Sequence, residues 1–206
     1  MTSTIKPFAP SGLAVLPMKR PGRQNYLDAA AALDLAVLGA TGGRLTPLGR
    51  LVDTIWCLTG GGWRPPAEVI HEALRAATAA GTIRATDAWV RSTPFYYSLT
   101  PKGALAFQSL MRIPLPAWDD PISRSGAAIK FGLLDVVDTA DLAIVAGDLE
   151  RFYRDARAGL VDRRDSLAAD RVYLHKAVGD RIAWADQRLH ALEDLLDRRN
   201  RRKVIH

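Results

Sequence analysis

Apolar residues recur at three- and four-residue spacing along most of this chain, which predicts a mainly helical protein with one small β-ribbon. The first stripe is Tyr26, Leu27, Ala30, Leu33, Val37 and Leu38, with Asn25 as N-cap and Gly39, Gly42 and Gly43 at its end. Thr46-Pro47 reads as an N-cap and a proline at the first helical position. It opens a second helix with Leu48, Leu51, Val52, Ile55, Trp56 and Leu58 on its apolar side, stopped by Gly60, Gly61 and Gly62. A third helix follows the turn Trp63-Arg64-Pro65-Pro66. Its stripe is Val69, Ile70, Ala73, Leu74 and Ala77, and Gly81 ends it. The period then changes. Thr82 to Thr86 and Phe95 to Leu99 are short and rich in β-formers, a two-stranded hairpin, and Thr100-Pro101 opens another helix through Ala104, Leu105, Phe107 and Leu110.

Pro114, Pro116 and Pro121 mark residues 113–125 as a linker, and beyond it the chain reads as helical to its end. One stripe there is Leu142, Val145, Leu149, Phe152, Ala156 and Leu160, with Asp138 as N-cap and Asp141 in the first turn. The other is Val178, Ile182, Ala185, Leu189, Leu192 and Leu196, whose heptad-like spacing suits either an intramolecular core or a self-association seam. The candidate dimerisation residues are Leu142, Val145, Leu149, Phe152, Val178, Ile182, Leu189, Leu192 and Leu196. The tail from Arg198 to Lys203 is basic and expected to fray. The expected organisation is an irregular basic leader (1–25), a winged helix-turn-helix (26–112), the linker, and an antiparallel helical dimerisation domain (126–206).

Charge sharpens this division. Residues 1–112 carry 12 Lys or Arg against 6 Asp or Glu, whereas residues 113–206 carry 16 of each. The whole net charge of +6 therefore sits in the first half, which suits either a polyanionic partner or a solvated basic surface. Three helices followed by a ribbon is the order of a winged helix, in which the third helix enters the major groove of DNA and the ribbon touches the flanking backbone. The candidate DNA contacts are Arg64, Glu68, His71, Arg75, Arg84, Arg91 and Lys102. The arginines suit phosphates, whereas Glu68 and Glu72 either accept from cytosine or point away. Each also reads as an ordinary solvated residue, and His71 as a partly buried one. Trp89, beside the ribbon, either packs on the domain or lies exposed.

The remaining chemistry is sparse. Cys57, the single cysteine, sits in an apolar stretch like a core residue, and no disulfide framework is available. His71, His175, His190 and His206 show no metal-ligand spacing, and His175 reads as hydrogen-bonded or exposed. No Gly-rich phosphate loop is present. No enzyme activity, cofactor or metal is therefore expected. Lys6 and Pro7 interrupt the start of the chain with no apolar stretch after them, and no run reaches the roughly 20 apolar residues that span a bilayer. A cytoplasmic protein without a membrane partner is expected.

Three segments resemble the PadR family of bacterial transcriptional regulators. Leu35-Ala36-Val37-Leu38-Gly39 is similar to the family's first-helix pattern. Val69-Ile70-His71-Glu72-Ala73-Leu74, with Ala80-Gly81-Thr82-Ile83, is similar to its recognition-helix pattern. Tyr96-Tyr97-Ser98-Leu99-Thr100-Pro101-Lys102-Gly103 resembles its wing-closing motif. The long helical second half resembles the C-terminal domain of the larger members. The resemblance implies a homodimer held by the C-terminal helices, a two-fold-symmetric operator in double-stranded DNA, and repression of nearby genes. It also implies a small aromatic effector, for which Phe131, Phe152, Tyr153, Tyr173 and Trp184 are candidates, although the same aromatics read as core. The chain departs from the family where a recognition-helix tyrosine is replaced by His71, and where only Leu48-Gly49-Arg50-Leu51-Val52 remains of the second-helix pattern. A winged-helix protein-interaction module without DNA binding is the competing expectation.

Overall fold

The computed structural model describes residues 26–42, 45–59, 63–86 and 96–204. The basic leader, Asn25, Trp89 and Arg91 lie outside these residues. The first helix, α1 (Ala29–Ala40), begins later than its apolar stripe suggests. Asp28, not Asn25, stands at the N-cap, its side chain accepting from the Ala31 amide at 2.7 Å. Leu27 is held out of the helix because its amide donates to the Pro114 carbonyl at 3.1 Å and its side chain is buried. Thr46-Pro47 departs further from expectation. It forms a two-residue strand, β1, instead of a helix start, and Pro47 is the last extended residue before α2 (Leu48–Leu58).

The third helix, α3 (Ala67–Ala79), is followed by β2 (Ile83–Thr86), β3 (Tyr96–Leu99) and α4 (Pro101–Met111). The expected hairpin is present, with Ile83 opposite Leu99 and Thr86 opposite Tyr96. β1 joins it on the far side of β3, pairing Thr46 with Tyr97, so the sheet has three antiparallel strands in the order β1-β3-β2. Gly81 has φ +71°, the left-handed conformation that lets the chain leave α3 for β2 without a Cβ penalty. Thr100 caps α4 as the sequence suggests, with its hydroxyl accepting from the Gly103 amide at 3.1 Å.

The Pro-rich segment straps the two halves together. Its irregular part ends at Asp120, which caps α5 (Pro121–Gly132), and α5 packs on α1 and α2. A 3₁₀ turn (Leu134–Val136) leads into α6 (Thr139–Asp165), which folds back through residues 166–171 onto α7 (Val172–Val204). The pair is antiparallel: Arg157 meets Asp186 at 2.6 Å, and the rings of Tyr153 and Trp184 lie 5.3 Å apart. α7 stays helical through the whole of the basic tail expected to fray, with Arg198 and Asp194 paired one turn apart at 4.0 Å. One apolar core runs from Leu35, Leu51, Ile70 and Ile83 through Ile129 to Val145, Leu149 and Leu192. Among the described residues, no helix is long and apolar enough to cross a membrane.

Four side chains differ from their sequence reading. Val69 is 42% exposed, because the buried face of α3 turns on Ile70, Ala73 and Leu74. Cys57 is exposed on α2, about opposite the buried Leu51 and Ile55. Tyr173 is 89% exposed and Trp184 only partly covered, whereas Tyr153 is fully buried. The Tyr153 ring meets Phe131, Phe152 and Trp184 edge-on, but its hydroxyl has no partner among the described residues, and burial pushes its pKa up. An unsatisfied buried hydroxyl is destabilising. Tyr153→Phe is therefore expected to raise stability by about 1 kcal/mol in denaturant unfolding, and a loss of that size would show that the hydroxyl is satisfied.

Candidate nucleic-acid interface

The outward face of α3 is the feature that the first half positions most firmly. The helix starts at a Pro65-Pro66 step, and the Trp56 indole fixes that turn by donating Nε1–H to the Pro65 carbonyl at 3.1 Å. Arg64 lies just before the helix, with its guanidinium 4.7 Å from the centre of the Trp56 ring. Ile70, Ala73 and Leu74 pull the opposite face into the core. This leaves Glu68, His71, Glu72 and Arg75 exposed on neighbouring turns.

The far end of α3 is fastened to the ribbon and to α4 at one corner. The Thr100 hydroxyl reaches the Gly81 and Thr82 carbonyls at 2.8 and 3.0 Å, and the Thr100 amide donates to Thr82. Lys102 donates from Nζ to the Ala80 carbonyl at 2.7 Å, placing its charge on the negative end of α3. Gly103 lies so close to the Thr82 carbonyl that a Cβ would overlap it. The wing-closing motif is thus the sequence of this corner.

Arg64 lies exposed just before α3, Glu68, His71 and Arg75 lie exposed on its outward face, and Arg84 is exposed on β2 opposite Ser98. Lys102 is exposed but already engaged in capping α3, and Arg91 lies outside the described residues. Arg75 and Glu72 pair at 3.0 Å with both side chains mostly solvated, so the pair is weak and exchangeable. The face is close to neutral, since Glu68 and Glu72 offset the nearby arginines. Of the cations that make the first half basic, Lys6, Lys19, Arg20, Arg23, Arg44 and Arg91 lie outside the described residues. Arg50, absent from the candidate contacts, is exposed in the first turn of α2.

The candidate dimerisation residues occupy the inside of the helical half. Val145, Leu149, Phe152, Ile182 and Leu192 are buried within the single chain, and Leu142, Val178, Leu189 and Leu196 are half-buried. The two stripes face each other across α6 and α7. Exposed apolar side chains lie elsewhere, with Val172, Tyr173 and Leu174 together at the start of α7. His175 faces the Ala168 carbonyl at 3.3 Å. No group of His, Cys, Asp or Glu among the described residues is arranged to hold a metal ion.

The fold and this face define a mainly helical chain with an N-terminal winged helix-turn-helix. No family model matches the chain, and no curated protein matches it. Among solved structures it is similar to Bacillus subtilis PadR in complex with operator DNA, at 15% identity, over 82% of this chain and 99% of that one, with a TM-score of 0.40.

Proposed function

We propose that this chain is a sequence-specific DNA-binding transcriptional repressor of the PadR type. It acts in the cytoplasm as a homodimer on a two-fold-symmetric operator. The observation that carries this reading is the exposed face of α3, whose far end is fastened to the ribbon and α4 by Thr100 and Lys102. α3 enters the major groove, where Arg75 and His71 reach base edges and Glu68 or Glu72 accepts from cytosine. Arg64, Arg84, Arg91 and the basic leader meet phosphates, supplying affinity without sequence information. The exposed Val172, Tyr173 and Leu174 support self-association. A two-fold dimer places its reading helices about one DNA turn apart, roughly 34–36 Å. Regulation by a small aromatic effector belongs to the same proposal.

The test is binding of the purified chain to its own upstream DNA at two salt concentrations, with mass measured by light scattering. A dimer with steep salt dependence and sequence preference is expected. Arg84→Ala should weaken binding to every sequence and lower the salt slope by about one. One observation favours an interaction module instead: the α3 face carries two carboxylates, which phosphate repels. A folded chain with no affinity for DNA at low salt would establish that alternative.

A further inference from the structure

A groove in the first half stays open although three helices surround it. It lies between α1, α3 and α4 and has a volume of about 500 Å³. The helices leave it open because the residues they turn toward it are small: Ala77 and Ala80 on α3, and Ala106 on α4. Ile113 closes one end, and Asp34 of α1 is the only charged residue among the described residues that line it. From Ala106 to Ile113 the wall formed by α4 runs about 10 Å, the length of three to four extended residues. Apolar side chains filling such a groove are removed from water.

Residues 1–25 supply an occupant of matching length and charge. They contain the apolar run Leu13-Ala14-Val15-Leu16, the cations Lys6, Lys19, Arg20 and Arg23, and no carboxylate. The point where they join the described chain lies beside the groove. The Leu27 amide donates to the Pro114 carbonyl at 3.1 Å, and Ile113, the residue before Pro114, is part of the groove wall. The stretch from Leu16 to Tyr26 reaches up to about 33 Å when extended, more than enough to bring the run back to the groove. A tether this short holds the run at an effective concentration on the order of millimolar, so even a few apolar contacts suffice. One carboxylate against four cations leaves most of the leader's positive charge for other partners.

We propose that the run from Leu13 to Leu16 seats in this groove of its own chain, against the last turns of α3, with the cations that follow it beside Asp34. The inference does not rest on the DNA-binding reading and is tested without DNA. Ser109 lines the groove and is exposed, so Ser109→Cys places a thiol there with little change of shape. In a Cys57→Ser background that thiol is the only one in the chain. Its rate of reaction with a maleimide reads whether the groove is covered. Leu13→Asp with Leu16→Asp, which removes the apolar run, should speed labelling at least about tenfold. Equal rates with and without these substitutions would overturn the proposal. A second measurement separates the two possible sources of the segment. An excess of cysteine-free chain with an intact leader is added to the leader-substituted chain. Unchanged fast labelling is expected. Restored protection would overturn the placement, since the leader would then cover the groove of a second copy.

Discussion

Asp148→Asn is expected to lower the unfolding free energy by about 3–5 kcal/mol, the usual consequence of removing one partner from a buried ion pair. Lys130 is fully buried on α5, and its ammonium meets Asp148 of α6 at 3.1 Å while donating to the Ile113 carbonyl of the strap. Asp148 also accepts from the Leu115 amide at 3.3 Å and from Arg151 at 2.5 Å. One carboxylate therefore ties together three segments. Asparagine preserves the shape and removes the counter-charge. Lys130→Met should be milder, because Asp148 keeps Arg151 and Leu115.

Alkaline pH separates the two variants. Burial already lowers the Lys130 pKa below its usual 10.5, and Asp148 opposes that shift. Between the lowered folded value and 10.5 the unfolded chain holds more protons, so this lysine's contribution to stability rises with pH. Asp148→Asn should lower the folded pKa further and recover part of its deficit at alkaline pH relative to the parent, whereas Lys130→Met should not. Chemical denaturation across pH 7 to 10 would measure this, and a deficit below about 1 kcal/mol would mean that Lys130 finds solvent.

Gly103→Ala should be comparably damaging, at about 2–3 kcal/mol or more. The added carbon overlaps the Thr82 carbonyl oxygen and comes within 2.8 Å of Leu99 Cδ1. The obstacle is backbone, already fixed by hydrogen bonds from Thr100, and cannot swing aside. Gly147→Ala provides the contrast. It lies in α6 with nothing within 4 Å of its added carbon, so it should gain about 0.5–1 kcal/mol from improved helix propensity. Thermal unfolding of the pair checks both signs, and two losses of similar size would refute the steric account.

The difference between legible and hidden features follows from range. Gly81 as the end of α3 and Thr100-Pro101 as the start of α4 act on neighbours within a few residues, and the sequence places them correctly. β1 is two residues long, too short to show a period, and exists only because β3 lies beside it. The later start of α1 at Asp28 is hidden in the sequence because the Leu27–Pro114 backbone bond that holds Leu27 out of the helix is long-range. The sequence analysis singled out neither Lys130 nor Asp148, because the two partners lie 18 positions apart and on different helices. Apolar spacing located the stripes of α6 and α7 but not what they face. In the candidate interface, Glu68, His71 and Arg75 followed from helical periodicity and Arg64 from the turn before the helix, whereas the capping by Lys102 depends on a turn of the chain that periodicity does not encode.

The corner where Thr100, Lys102 and Gly103 meet the end of α3 has a geometric consequence. With both carbonyls after α3 held from the wing side, helix and ribbon cannot tilt independently. In a DNA complex they would act as the fixed jaws of a calliper. A duplex whose groove spacing did not match would have to bend to fit, and discrimination would then extend to base pairs that no side chain touches.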